Sequence, residues 1–261
     1  SGWAAHDLNY LGVGGFLHCS GRQADGRPAL PGATVADIAA GGMQAAMAVM
    51  AALLRRERTG EGERLDVSIA DGVVAMMSLY GDEYLATGTE PGPGHYILTG
   101  RYACYDTYTC ADGRHVAVGA IEPQFWRNLC RLLGLEQYAD AQLDDERQDE
   151  IRAAMAEVFA TRTRDEWVAE LGPADTCVSE VNTVPEALED EQYTHRGVVA
   201  DAVHATEGPF RQVAPIWAGT VAPDGPYEIR EGTVTDTAEL LVEAGMDATE
   251  VQELNDAGAV A

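Results

Sequence analysis

The stretch from Ile38 to Leu54 constrains the fold of this chain more than any other part of its sequence. It holds 17 residues, almost all of them Ala, Gly, Met, Val or Leu, and Gln44 is its single strongly polar side chain. It is shorter than the roughly 20 residues of a transmembrane helix, and the arginine cluster that follows it suits a helix C-terminus. We therefore predict a buried helix of a soluble protein over about residues 35–58.

A change in local composition marks a linker within the chain. The linker is rich in Gly and Pro at its start, as connecting segments often are, and we predict it over 88–104. Before it, alternating apolar residues predict a strand over Arg64–Ile69, and Asp71 is expected to cap a helix over 72–87.

The second half shows clearer element boundaries. Two apolar stretches flank an Ala-Asp-Gly-Arg turn at residues 111–114, which predicts a β-hairpin. Pro123 is expected to begin a helix that runs to about Leu133. Thr163 and Glu166 have the spacing of a capping box for another helix. The remaining predictions are helices over 149–160, 164–171, 184–191, 235–244 and 250–257, a strand over 177–184 and an irregular stretch over 209–227.

The charge balance excludes some classes of partner. The chain carries 43 acidic residues against 17 basic ones, all of them arginine, so its net charge is -26. Such a surface repels phosphate backbones and anionic lipids, so we predict no nucleic-acid and no membrane partner. The acidic excess also suggests adaptation to high salt, where screening weakens the repulsion between like charges.

The cysteine pattern and the N-terminal residues indicate a cytoplasmic protein without a metal site. The five cysteines are an odd number and show no C-x-x-C spacing, so neither a disulfide framework nor a zinc site is predicted. The first residues have no basic segment followed by an apolar one, as a signal peptide would.

Four stretches in order carry a resemblance to a known family. They are AHDLNYL (5–11), VADIAAGGM (35–43) with the helix that follows, YDTYTCADGRHVAVGAIEPQFW (105–126) and REGTVTDTAELLVEAGM (230–246). Together they resemble the family III CoA transferases, of the CaiB/BaiF type, and within them the α-methylacyl-CoA racemase branch.

The resemblance implies an α/β fold with part of a Rossmann-like large domain and a small α+β domain, in an interlocked homodimer. In these terms we predict a large-domain part with the catalytic helix (1–87), the linker (88–104), the small α+β domain (105–200) and a C-terminal return to the large domain (201–261). Family members begin with a Rossmann-like segment of about a hundred residues that supplies much of the CoA cradle. This chain resembles the part that follows. We therefore expect a separate N-terminal segment or chain among its partners.

The resemblance also assigns the chemistry. Racemising the α-carbon of a thioester needs acid–base groups on its two opposite faces and stabilisation of the enolate between them. In the racemase branch these groups correspond to His6 and Asp37, and a Glu near the active site corresponds to Glu122, which the other subunit of a dimer could supply. N–H groups at a helix start hold anions well, and histidine titrates near neutral pH. Asp7 could orient His6 or only cap a helix.

The candidate CoA-binding residues are Gly41, Gly42 and Arg101. The two glycines would let a substrate approach the helix backbone closely, and Arg101 could meet a CoA phosphate. No cofactor is predicted, since coenzyme A enters as part of the acyl-CoA substrate. Met43 and the methionines that follow at helical spacing are expected to pack in the core, with an acyl-chain pocket as the alternative.

Three functions remain open at this stage. The first is racemisation of 2-methylacyl-CoA thioesters, which the presence of His6 favours because transferases of the family typically lack this residue. The second is transfer of CoA between an acyl-CoA and a carboxylic acid through an aspartyl intermediate on Asp37. The third is a non-catalytic or incomplete subunit.

Overall fold

The computed structural model describes residues 2–215, 224–232 and 234–260. These residues form a mixed α/β fold in two compact units, Ser1–Val181 and Asn182–Ala261, which confirms the predicted fold class. The strands are β1 (Tyr105–Thr109), β2 (His115–Gly119), β3 (Val178–Glu180), β4 (Val199–His204), β5 (Gly208–Val213) and β6 (Tyr227–Ile229). The α-helices are α1 (Asp7–Val13), α2 (Phe16–Cys19), α3 (Gln44–Thr59), α4 (Ile69–Met76), α5 (Ser78–Thr87), α6 (Pro123–Leu133), α7 (Gln148–Phe159), α8 (Arg164–Leu171), α9 (Val184–Glu189), α10 (Glu191–His195), α11 (Thr237–Glu243) and α12 (Ala248–Asp256).

The predicted hairpin forms the centre of the larger core of the first unit. Strands β1 and β2 pair antiparallel, and β3 pairs antiparallel with the other edge of β2, in the order β1-β2-β3. Helices α6, α7 and α8 contribute Trp126, Phe159 and Leu171, whose side chains are at most 1% exposed. The predicted bounds of α6 are confirmed, as is the capping box in which the Thr163 N–H donates to the Glu166 carboxylate (2.9 Å).

A second, helical core occupies the N-terminal part of the same unit. A π-helix over Ala36–Met43 runs directly into α3, so the predicted long helix is present. The π-helix packs against α1 and α4, where the fully buried side chains are Leu11, Ala36, Ala40 and Val73. No strand lies in the described residues before β1, so this part of the unit is helical.

Gly72 permits the closest helix contact in this core. A Cβ atom at Gly72 would overlap the backbone carbonyl of Ala40, which cannot move without moving the π-helix. We expect Gly72→Ala to lower the free energy of unfolding by about 2 kcal/mol or more, because overpacking forces a backbone shift. Chemical denaturation followed by circular dichroism measures this change.

Gly81 provides the matched control for Gly72. It lies inside α5 and has open space around the position of a Cβ atom. Gly81→Ala is therefore expected to stabilise the protein by about 0.5–1 kcal/mol through the higher helix propensity of Ala. Equal effects of the two substitutions would contradict the close contact between α4 and the π-helix.

Two predictions before the linker are wrong. Arg64–Ile69 forms no strand, because no other segment of the described residues pairs with it. Alternating apolar residues favour a strand only where a neighbouring strand is present to pair with them. The helix predicted over 72–87 is divided at Met77 into α4 and α5. Ser68 caps α4 by accepting the N–H of Asp71, because Ser68 stands three residues earlier, at the true helix start.

The apolar helix is mostly exposed within the described residues, contrary to the prediction. Only 11% of its most apolar window is buried. The methionines expected in the core, Met43, Met47 and Met50, are 53%, 48% and 58% exposed. By length and composition alone, Ala36–Thr59 could also cross a membrane. Apolar composition predicted the helix, but burial needs a neighbouring surface, and the described residues place none there.

The second unit is built around a hairpin. Strands β4 and β5 pair antiparallel, with Val199 opposite Val213, and β6 adds to the other edge of β4 in parallel. The predicted irregular stretch over 209–227 is therefore wrong at β5 and at Tyr227, and residues 216–223 lie outside the described residues. Helices α11 and α12 confirm the predicted pair near the C-terminus. The four-part domain division remains a prediction.

Candidate active site

His6 lies directly before α1, where it serves as the N-cap residue. Its backbone N–H donates to the Asn9 side-chain oxygen (3.0 Å), and its carbonyl accepts the Asn9 N–H (2.9 Å). The backbone of His6 is therefore fixed to the first turn of α1, while the residue itself is exposed. An exposed imidazole on a fixed backbone can exchange protons with a bound molecule.

Asp37 lies in the first turn of the π-helix, as predicted for a helix start. Its backbone N–H donates to Oδ1 of Asp7 (2.9 Å), a residue 30 positions earlier in the chain. Asp7 is the immediate neighbour of His6, so this bond joins the start of α1 to the start of the π-helix. The structure thereby brings together the segments that carry the two predicted acid–base residues, and Asp37 is exposed like His6.

A cluster of buried apolar side chains lies beneath these two helix starts. Ala36 and Ala40 of the π-helix and Leu11 of α1 are fully buried against each other, while Asp37 and His6 point away from that core as exposed residues. Packing of small and apolar residues on one side thus presents two polar groups on the other.

Glu122 lies apart from His6 and Asp37 in the described contacts. It is the exposed N-cap residue of α6, directly before Pro123. It stands beside Cys177, whose thiol pKa is raised by burial and further by the negative charges of Glu122 and Asp175. Cys177 lines an open cavity of about 430 Å³ over the sheet. Among the described residues, no hydrogen bond or ion pair joins Glu122 to His6 or Asp37.

The two predicted glycines differ in their surroundings. Gly41 is buried, and a Cβ atom there would lie 2.9 Å from Cγ1 of Ile69. Its small size thus serves the packing of the π-helix against α4. Gly42 is exposed and has only the carbonyl of Asp37 within reach of a Cβ atom, at 3.4 Å. Of the two, Gly42 leaves the helix backbone open to an approaching molecule.

The guanidinium of Arg101 forms an ion pair with Asp145. Its Nη2 and Nε atoms donate to the two carboxylate oxygens of Asp145, at 2.9 and 3.1 Å, and this pairing raises the pKa of the guanidinium. The guanidinium also lies over the ring of Tyr102, 5.4 Å from its centre. A phosphate at Arg101 would therefore share the guanidinium with Asp145.

The linker carries a cluster of polar groups that sequence analysis missed. His95 lies within the predicted linker, and its Nε2 is 2.6 Å from the Glu83 carboxylate of α5. The Tyr96 hydroxyl donates to the same carboxylate, which lowers the pKa of Glu83 and raises that of Tyr96 to about 12. Tyr80 packs against the Tyr96 ring, 4.9 Å between centres. The sequence signal that could have indicated this cluster is the pair His95–Tyr96, which follows a helix that contains Glu83.

The described residues hold no group of three His, Cys, Asp or Glu side chains arranged to bind a metal ion. The groups that can do chemistry at the two helix starts are therefore an imidazole, two carboxylates and backbone N–H donors. Such a set suits proton transfer, or nucleophilic attack by a carboxylate.

Comparison with known proteins shows which family this chain matches. The profile of CoA-transferase family III matches residues 1–226. An alpha-methylacyl-CoA racemase of Mus musculus is 34% identical over 97% of this chain and 65% of its own length. A succinyl-CoA:glutarate CoA-transferase of Mus musculus is 26% identical over 78% of this chain and 48% of its own length.

A solved structure extends the likeness to the fold. The crystal structure of a CaiB/BaiF family protein from Brucella suis superposes with a TM-score of 0.67 at 25% identity, covering 94% of this chain and 63% of that one. The chain thus spans less than two thirds of the length of these relatives.

Proposed function

Because the chain belongs to CoA-transferase family III, a family of enzymes, we propose that it takes part in acyl-CoA chemistry and racemises 2-methylacyl-CoA thioesters. The observation that carries this proposal is the bond from the Asp37 N–H to Asp7, which joins the helix starts that hold His6 and Asp37. The 34% identity to a racemase supports the choice within the family.

In the proposed reaction His6 and Asp37 act on opposite faces of the α-carbon. One group, unprotonated, takes the α-proton, and the C–H electron pair moves into the thioester as an enolate. The other group, protonated, returns a proton to the opposite face, which inverts the centre and restores the thioester. The two groups exchange protonation states in the reverse direction, so the equilibrium contains both 2R and 2S forms.

The second candidate is CoA transfer, which the exposed carboxylate of Asp37 favours. Asp37 would attack the thioester carbonyl and expel CoA thiolate, giving a mixed anhydride. The thiolate would then attack the aspartyl carbonyl, release the first carboxylate and leave an aspartyl-CoA thioester. An incoming carboxylate would repeat these two steps in reverse order. The likeness to a succinyl-CoA:glutarate CoA-transferase supports this candidate.

The exposed apolar side chains of α3 support a proposal about assembly. We propose a homodimer, with a further N-terminal segment or chain as an additional partner, because a surface with several half-exposed methionines and leucines favours association. If the N-terminal segment or chain supplies the CoA cradle, the isolated chain would be a folded but inactive subunit. A cytoplasmic location, and coenzyme A as the only cofactor-like group, are proposed with it.

One assay in D2O separates these functions. The natural protein that contains this chain is incubated at high salt with a 2-methylacyl-CoA and an unrelated carboxylic acid, and the products are analysed by mass spectrometry. We expect one deuterium at the α-carbon, with CoA remaining on its acyl group. CoA on the second acid without α-exchange would instead establish transfer. Neither product would favour an inactive subunit.

A further inference from the structure

We propose that Asp7 is a positioning residue that holds the start of the π-helix, and with it Asp37, in register with His6. The Asp7 carboxylate accepts the N–H of Asp37 at 2.9 Å while its own backbone follows His6 directly. This inference rests on the proposed function, since it concerns the two acid–base groups of that reaction.

The first step concerns how few bonds separate the two groups. From His6, one peptide link leads to Asp7, and one hydrogen bond leads from the Asp7 side chain to the Asp37 backbone. No shorter connection is available along the chain, where 30 residues separate the two ends of this bond.

The second step concerns the other end of this connection. Asn9 holds the His6 backbone by accepting its N–H at 3.0 Å, and the Asn9 N–H returns a bond to the His6 carbonyl. The side chains of Asp7 and Asn9 thus have complementary tasks in the motif HDLNY. Asn9 fixes His6 to α1, and Asp7 fixes α1 to the π-helix.

The third step concerns the type of helix that Asp7 holds. π-Helical hydrogen bonds run from residue i to i+5, and segments as long as Ala36–Met43 are rare. Regaining the α-helical repeat would rotate the first turn by about 100° relative to the rest of the helix. A tertiary bond to the N–H of Asp37 opposes such a rotation, because it fixes the first turn to α1 from outside the helix.

The test compares Asp7→Ala with Asp7→Asn in the natural protein, by α-proton exchange in D2O. Asp7→Ala removes the acceptor, and we expect kcat to fall about 10–100-fold with KM changed less than about twofold, since small misplacements of reacting groups cost rate. Asp7→Asn keeps an oxygen acceptor without the charge and is expected to recover most of kcat. Asp247→Ala removes an equivalent side-chain cap from α12, whose N–H bond from Thr249 is 2.8 Å, and should leave kcat unchanged.

A second readout is independent of the reaction. Amide hydrogen exchange at Asp37, followed by NMR, should accelerate in Asp7→Ala and stay slow in Asp7→Asn, and circular dichroism checks that both variants are folded. Wild-type kcat in Asp7→Ala, or equal protection of the Asp37 amide in both variants, would overturn the positioning role. A wild-type protein without α-exchange would overturn the proposed function, and with it a role for Asp7 in that reaction.

Discussion

Replacing His6 with alanine is expected to lower the rate of interconversion of the 2R and 2S epimers by about 10²–10⁴-fold, the usual contribution of an acid–base group. The reason is that one face of the α-carbon then lacks a proton carrier. The backbone of His6 should stay in place, because its bonds to Asn9 use main-chain atoms and the Asn9 side chain. Chiral chromatography of the acyl group, after incubation of a single epimer, measures the change.

The CoA-transfer activity of the same variant serves as the control for this result. Transfer through an aspartyl intermediate makes no use of the imidazole, so any transfer activity should survive His6→Ala within about threefold. His195→Ala, at the end of α10, is the matched control for removing a histidine and should leave both activities unchanged. Undiminished interconversion of the 2R and 2S epimers in His6→Ala would remove His6 from the reaction and weaken the racemase proposal.

Replacing Asp37 with asparagine is expected to lower both activities by at least about 10²-fold. Racemisation loses its second acid–base group, and transfer loses its nucleophile. The bond to Asp7 uses the backbone N–H of Asp37, so the substitution should leave the helix start in place. Steady-state kinetics of 2R–2S interconversion and of CoA transfer measure the two losses.

Asp71→Asn supplies the comparison for Asp37→Asn. Asp71 also lies in the first turn of a helix, in this case α4, and the substitution removes the same charge. It is expected to change either rate less than twofold. If Asp37→Asn kept near-wild-type interconversion of the epimers while His6→Ala lost it, a single-base mechanism would replace the two-base one proposed here.

The contrast between His6 and Glu122 shows where sequence reasoning about the site reached its limit. The motif containing His6 and the helix containing Asp37 were both recognisable, and a hydrogen bond now joins their segments. Glu122 was recognisable by the same resemblance; within this chain it lies at the start of α6, beside Cys177, and its approach to His6 from the other subunit of a dimer stays a prediction. A resemblance assigns a role to each residue separately, whereas proximity depends on chain packing.

Gly41 and Arg101 show a related limit. Both residue types suit a CoA site, but each already has a neighbour that explains it: Ile69 for Gly41 and Asp145 for Arg101. These neighbours lie 28 and 44 positions away in sequence. Contacts over such separations follow from how helices and loops pack and leave no periodic trace in the sequence.

The sequence by itself determined the elements that depend on local interactions. The capping box at Thr163, the helix that begins at Pro123 and the hairpin around Gly113 all rest on residues within a few positions of each other, and all are present. The apolar run and the arginine cluster that ends it likewise predicted the long helix that contains Asp37. Local hydrogen bonds and backbone preferences suffice for such features.

Only the tertiary structure decided the features that need a distant partner. It left the apolar side chains of α3 exposed, because burial depends on a second surface and not on the helix pattern. It gave the Asp7 carboxylate to the N–H of Asp37, although the sequence also allowed Asp7 to orient His6. A hydrogen bond has a range of about 3 Å, so the choice of partner follows from which backbone groups the core of Leu11, Ala36 and Ala40 brings within that distance.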